Sequence, residues 1–166
     1  MVRRRVYTSL YASLLFTVLG LVAWATGQAF VFPSLGPSAY LLAFDRRADR
    51  ARSYRVVWSH LIGAAAGLLA YSFIAEGVTL TASTPPFSPA GLRLAASGVV
   101  SIALTTWAMI ATDANHAPAC ATTLIVSLGL LSTPRAAAVI VAAVVLLVTI
   151  HHAVVAAAGT VRSRLE

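Results

Sequence analysis

Hydrophobic positions in this chain come in long runs rather than in alternation, and the polar positions gather between them. Four runs, residues 6–26, 56–75, 93–112 and 136–158, reach the roughly 20 residues that a helix needs to cross a hydrocarbon layer. Two more are short: "AFVFPSLGPSAYLLAF" at 29–44 has 16 residues and "APACATTLIVSLGLL" at 117–131 has 15. As helices they extend only about 23–24 Å against a layer of roughly 30 Å. Each also carries proline near one end, so both read as short, broken membrane segments. The order is long, short, long, then the polar stretch "EGVTLTASTPPFSPAGLR", then long, short, long. The pattern predicts an all-α membrane protein of six membrane segments, four long and two short or broken. It forms one transmembrane domain over 1–166, with halves 6–75 and 93–158 joined by the external loop 76–92.

Composition sharpens this picture. Of the 166 residues 59% are hydrophobic and 10% charged, and the mean hydropathy is +0.85. A water-soluble domain carries about 25% charge, so lipid must supply much of this chain's solvent. The net charge of +7 rests on twelve arginines and no lysine, most of them grouped at Arg3, Arg4, Arg5, at Arg46, Arg47, Arg50, Arg52, Arg55, and at Arg162, Arg164. A nucleic-acid surface spreads basic residues over a polar face. Here they flank apolar runs, which is the pattern of cytoplasmic loops. If 29–44 crosses the bilayer, the arginine groups fall on one side and only Arg93 and Arg135 on the other. Four spans with two re-entrant segments fit the arginines less well. The expectation is a multi-pass cell-membrane protein with both termini cytoplasmic. The apolar core at Val6–Ala25 exceeds the roughly 7–15 residues of a signal-peptide core, favouring an uncleaved anchor.

The first triplet of segments starts inside and the second outside, so the two have inverted topology, a 3+3 repeat. Their short members sit at matching positions and both join proline to small residues: "PSLGPSAYLL" and "APACATTLIV". Paired interrupted segments of this kind point to a transporter's binding site. Proline suits the first turn of a helix. Half-helices are therefore expected to start near Gly36-Pro37, with Ser34 or Ser38 as cap, and near Ala117-Pro118, with Asn115 or His116 as cap. Helix N-termini entering from opposite sides place free N–H groups and positive dipole ends near the midplane, a setting for an anion. The candidate binding residues are Ser34, Gly36, Ser38, His60, Asn115, His116 and Thr122. The small residues also allow a packing role, and "GAAAG" at 63–67 reads foremost as a helix contact.

His60, at membrane depth, calls for a partner, and Ser38, Asp113 or the solute are the choices. His151 and His152 lie near the cytoplasmic end of the last span, and neighbours about 100° apart cannot both face the bundle. A proton relay through His60 and His151 has little in the sequence behind it. Tyr7, Tyr11, Trp24, Tyr54, Trp58, Tyr71 and Trp107 fall mostly near span ends, as an aromatic belt does. No nucleophile–base–orienter set and no phosphate loop occurs, so an enzyme is not expected. Neither is a cofactor or a metal. The single Cys120 excludes an internal disulfide.

"FPSLGPSAYLLAF", "VVWSHLIGAAAGLLA" and "NHAPACATTLIVSLG", in this order over about residues 10–155, resemble the HPP family of integral membrane proteins. Its signature is a His-Pro-Pro-Ala-Gly-Ala-Thr run. His116, Pro118 and Thr122 match it, while Ala117 stands for the first proline and Cys120 for the glycine. Relatives are implicated in nitrite transport, so the resemblance implies a permease for a small anion, nitrite among the candidates. The alternative is a non-transporting membrane scaffold or partner subunit. The expected partners are the lipid bilayer, a small anion and further copies of the chain, and no nucleic acid.

Overall fold

A computed structural model describes residues 2–45 and 49–163; Arg46, Arg47 and Arg164 of the arginine groups lie outside the described residues. The described residues form α-helices without strands: α1 (Val2–Thr26), α2 (Leu35–Phe44), α3 (Arg50–Ala70), α4 (Pro89–Ala111), α5 (Ala119–Ser127) and α6 (Pro134–Ser163). A single π-helical turn, Tyr71–Ala75, prolongs α3. The four long helices are apolar and long enough to cross a membrane. They overrun the apolar stretches because helix propensity does not stop where hydrophobicity does: α1, for instance, takes in its three arginines.

Local chemistry sets the boundaries. Ser88 accepts from the Gly91 N–H and Pro89 opens α4. Thr133 does the same for the Ala136 N–H at the start of α6. Gly27 (φ 65°) ends α1 with its N–H on the Ala23 carbonyl. Gly129 (φ 80°) follows α5, and a Cβ there would lie 2.5 Å from the Val78 carbonyl oxygen.

Contacts at the helix ends give the direction of each pass. At one end the Arg4 guanidinium lies 4.8 Å from the Phe44 ring centroid. Arg52 pairs with Asp45 there, Tyr54 donates to the Thr112 carbonyl, and Ser53 meets His152 at 2.6 Å. The start of α1, the end of α2, the start of α3, the end of α4 and the last turns of α6 therefore share this arginine end. At the opposite end Arg93 donates to the carbonyls of Ile74 and Glu76, and the Leu80 N–H reaches the Leu128 carbonyl. Residues 27–45 thus run back through the bundle, first without helix and then as α2, and α5 makes a pass of its own. Six passes alternate in direction, four by long helices and two by short ones.

The core lies where α2 and α5 meet the long helices. Leu15 and Leu19 of α1, Leu35 and Leu42 of α2, Val126 of α5 and Ile140, Val144 and Leu147 of α6 are buried in it. Trp24, Phe73, Trp107 and Ile110 point outward. In water such exposure opposes folding; in a bilayer it is the lipid-facing surface.

Gly63 and Gly67 bring α3 against α5. A Cβ on Gly63 would lie 2.7 Å from the Ala119 carbonyl oxygen and 2.8 Å from Thr123 Oγ1; one on Gly67 would lie 2.8 Å from the Thr123 carbonyl oxygen. These are the small-residue contacts of membrane helices. The added methyl meets backbone, so Gly63→Ala is expected to destabilise the protein by about 1–3 kcal/mol. Gly20→Ala, with open space around it, should be neutral or mildly stabilising. Thermal unfolding of the detergent-solubilised variants checks both.

Candidate functional site

The N-terminal turns of α2 and α5 lie side by side and antiparallel inside the bundle. Ser34, the residue before α2, bonds Thr122 of α5 at 2.7 Å between hydroxyl oxygens. One turn along α2, Ser38 Oγ lies 3.0 Å from His116 Nε2, just ahead of α5. α3 supplies His60 between them. Its Nε2 lies 3.1 Å from Ser38 Oγ and its Nδ1 lies 2.7 Å from Thr122 Oγ1. The two imidazole rings are 5.4 Å apart between centroids. All five side chains are buried.

Five of the seven candidate residues therefore meet in one cluster. Of the partners considered for His60, Ser38 is the one it contacts. Gly36 and Asn115 do not join. Gly36 is half-buried beside open space. Asn115 is exposed and lines an adjoining cavity of about 330 Å³ with Asp45, Asp49, Arg52, Arg55, Val56 and His116. His151 is bonded to Tyr11 at 3.0 Å instead. It is buried while His152 is only half-buried, as neighbours on a helix must differ.

The helix starts depart from expectation in an instructive way. α2 begins at Leu35, α5 at Ala119, and neither has a side-chain cap. The Leu35 N–H turns back to the Phe32 carbonyl. Those of Ala119, Cys120 and Ala121 go to the carbonyls of His116, Ala117 and Pro118. Tight turns satisfy amides that hydrocarbon would otherwise leave bare. The polar groups offered at the centre are hence hydroxyls and imidazoles more than amides. The Ser34 hydroxyl, freed from capping, goes to Thr122.

Arg52 and Arg55, which the sequence offers as topology signals, frame the cavity beside His116 together with Asp45. Arg52 lies 3.2 Å from the Asp45 carboxylate and donates to the carbonyls of Leu41 and Asp45 at the end of α2. A cation at a helix C-terminus offsets the dipole. Ser59, beside His60, donates to the Ala114 carbonyl and so fixes the turn that carries His116.

A second polar seam binds the other face of α5 to α4. Thr123 and Thr105 meet at 2.8 Å, and Ser97 donates to the Ser127 carbonyl. The spacing Ser97, Ser101, Thr105 along α4 places the three on one face, a signal open to reading in the sequence. Among the described residues no group of three His, Cys, Asp or Glu side chains is placed to hold a metal ion.

The family model for HPP, transmembrane region, matches residues 1–164. This chain belongs to the HPP family of membrane proteins. None of the curated proteins and none of the solved structures compared with it gives a match. His116, just ahead of α5, and Thr122 within it, the positions through which the sequence resembles the family's signature run, supply that side of the cluster.

Because His60 is shared, the contributions of Ser38 and Thr122 to stability are interdependent. Ser38→Ala and Thr122→Val should each cost about 1 kcal/mol or more. Their double mutant should depart from additivity by about 0.5–3 kcal/mol. Denaturation midpoints of the four proteins in one detergent measure this; strict additivity would contradict the shared network.

Proposed function

We propose that this HPP protein carries a small inorganic anion across the membrane, nitrite among the candidates, through a site formed by Ser38, His60, His116 and Thr122. The observation that carries the reading is the pairing of the two short helices' N-terminal turns around buried hydroxyl and imidazole groups. The N-termini of both helices, where the dipoles are positive, border this region. Hydroxyls and imidazole N–H groups are donors to an anion, and no carboxylate lies among the four. Arg52 and Arg55 beside the adjoining cavity would attract anions towards His116. The arginine end is taken as cytoplasmic, with both termini there. The triplets α1–α3 and α4–α6, run in opposite senses, are taken as an inverted repeat whose two halves move about the shared site. A homo-oligomer in the bilayer accords with so small a bundle.

A second reading, a non-transporting scaffold or partner subunit, has one observation in its favour. The donors and acceptors of the cluster are matched to one another, as packing alone would ask. Transport then requires that the cluster open to admit the solute.

Uptake of nitrite, nitrate, formate and chloride into proteoliposomes separates the two. The wild type should move at least one of these anions, and His116→Ala and Ser38→Ala should lower its initial rate tenfold or more. No flux of any of the four by folded wild-type protein would favour the scaffold.

Arg55→Gln should slow uptake at low ionic strength, with the difference from wild type shrinking as salt screens the charge. Initial rates between about 10 mM and 150 mM of an inert salt, a range over which the screening length falls from about 30 Å to about 8 Å, check this.

A further inference from the structure

The cluster is a single unbranched path through side chains: His116 Nε2, Ser38 Oγ, His60 Nε2, then His60 Nδ1, Thr122 Oγ1 and Ser34 Oγ. Its four links measure 3.0, 3.1, 2.7 and 2.7 Å. Every member is either a hydroxyl, which donates once and accepts, or a neutral imidazole, which has one donor and one acceptor nitrogen. His60 is buried with no carboxylate among its bonded partners, and an uncompensated charge there would be costly.

If Ser38 and Thr122 each donate along the path, counting protons leaves two arrangements in which every link is satisfied. In the first, His116 Nε2–H donates to Ser38, Ser38 to His60 Nε2, His60 Nδ1–H to Thr122, and Thr122 to Ser34. In the second every bond is reversed: Ser34 donates to Thr122, Thr122 to His60 Nδ1, His60 Nε2–H to Ser38, and Ser38 to His116 Nε2. Both imidazoles switch tautomer between the two, together with all three hydroxyls.

We propose that these five residues form a proton wire, running between the cavity at the arginine end and the start of α2, whose polarity reverses as one unit. Starting from the first arrangement, a proton arrives at His116 Nδ1. The Nε2 proton of His116 passes to Ser38, whose own proton passes to His60 Nε2. The Nδ1 proton of His60 passes to Thr122, whose proton passes to Ser34, and Ser34 gives one up to a water molecule that reaches the start of α2 when the cluster opens. One proton enters, one leaves, and the chain stands in the second arrangement. A flip of both imidazole rings, with rotation of the hydroxyls, restores the starting polarity without breaking an N–H bond. As an account of coupling, which makes the proton the ion moved with the anion, this rests on the transport reading. The wire itself can be read without any flux.

One competitor is built into the geometry. Ser38 Oγ also lies 3.2 Å from the Ser34 carbonyl. If its proton rests there, both histidines present Nε2–H to it independently of Thr122 and no wire exists.

The test is the nitrogen-15 spectrum of histidine-labelled protein in lipid nanodiscs at neutral pH, which distinguishes Nδ1–H from Nε2–H imidazole. Thr122→Val removes the acceptor of His60 Nδ1–H and so selects the second arrangement. His60 should become Nε2–H and His116 should move towards Nδ1–H, although the substitution is two links away from it. Ser34→Ala removes the acceptor at the far end and should move both signals in the same direction with a smaller change to the packing. Thr122→Ser keeps the hydroxyl and should restore the wild-type pattern. A His116 signal that stays Nε2–H in both Thr122→Val and Ser34→Ala would overturn the wire, and so would an imidazolium at either position in the wild type. Neither result depends on whether an anion is carried, so the failure of the wire and the failure of transport are told apart.

Discussion

Between lipid tails a polar atom has only the protein for a partner, and the centre of this bundle is organised by that constraint. Serine, threonine and histidine at the meeting of α2, α3 and α5 would each oppose burial if left alone. Bonded to one another they become the contact that registers three helices. Ser38 is the hub, since it holds His60 on one element and His116 on another. The close approach at Gly63 and Gly67 is the steric counterpart: without it α5 could not bring Thr122 within reach of His60.

The same constraint explains why two helices are short. A pass interrupted in mid-bundle exposes backbone that only protein can satisfy. Here tight turns before Leu35 and Ala119 use the first amides, and side chains supply the remaining polarity. The result is a polar centre without a single carboxylate, joined at the arginine end to a cavity containing both signs of charge. In the transport reading, that asymmetry is what separates attraction at the mouth from recognition at the centre.

Much of this was legible in the chain. Long apolar runs outline four helices, and the arginine pattern chose six passes over four, in agreement with the contacts at both ends of the bundle. Ser34, Ser38, His60, His116 and Thr122 could be named as polar or small groups in interrupted or deeply apolar segments. Their bonding could not, because it depends on where α3 sits between two short helices far apart in the sequence. Gly36 and Asn115 fell away for a related reason: adjacency along the chain does not fix which side of a tip faces inward. Proline positions located the helix starts to within a residue or two but could not show that tight turns would use the amides. The cavity beside His116 was hidden because its arginines carry a topology signal strong enough to account for them.

The central claim is that the tips of α2 and α5 abut in the interior of the folded, membrane-embedded protein. Its most direct measurement is a cross-link. With Cys120 replaced by alanine, Ser34→Cys and Thr122→Cys introduce the only two thiols, at positions whose hydroxyl oxygens are 2.7 Å apart. Mild oxidation in native membranes should close an intramolecular disulfide, leaving both thiols blocked to alkylation until reduced. Two thiols that stay free under oxidation in the folded protein, or that bridge only between separate chains, would contradict the account.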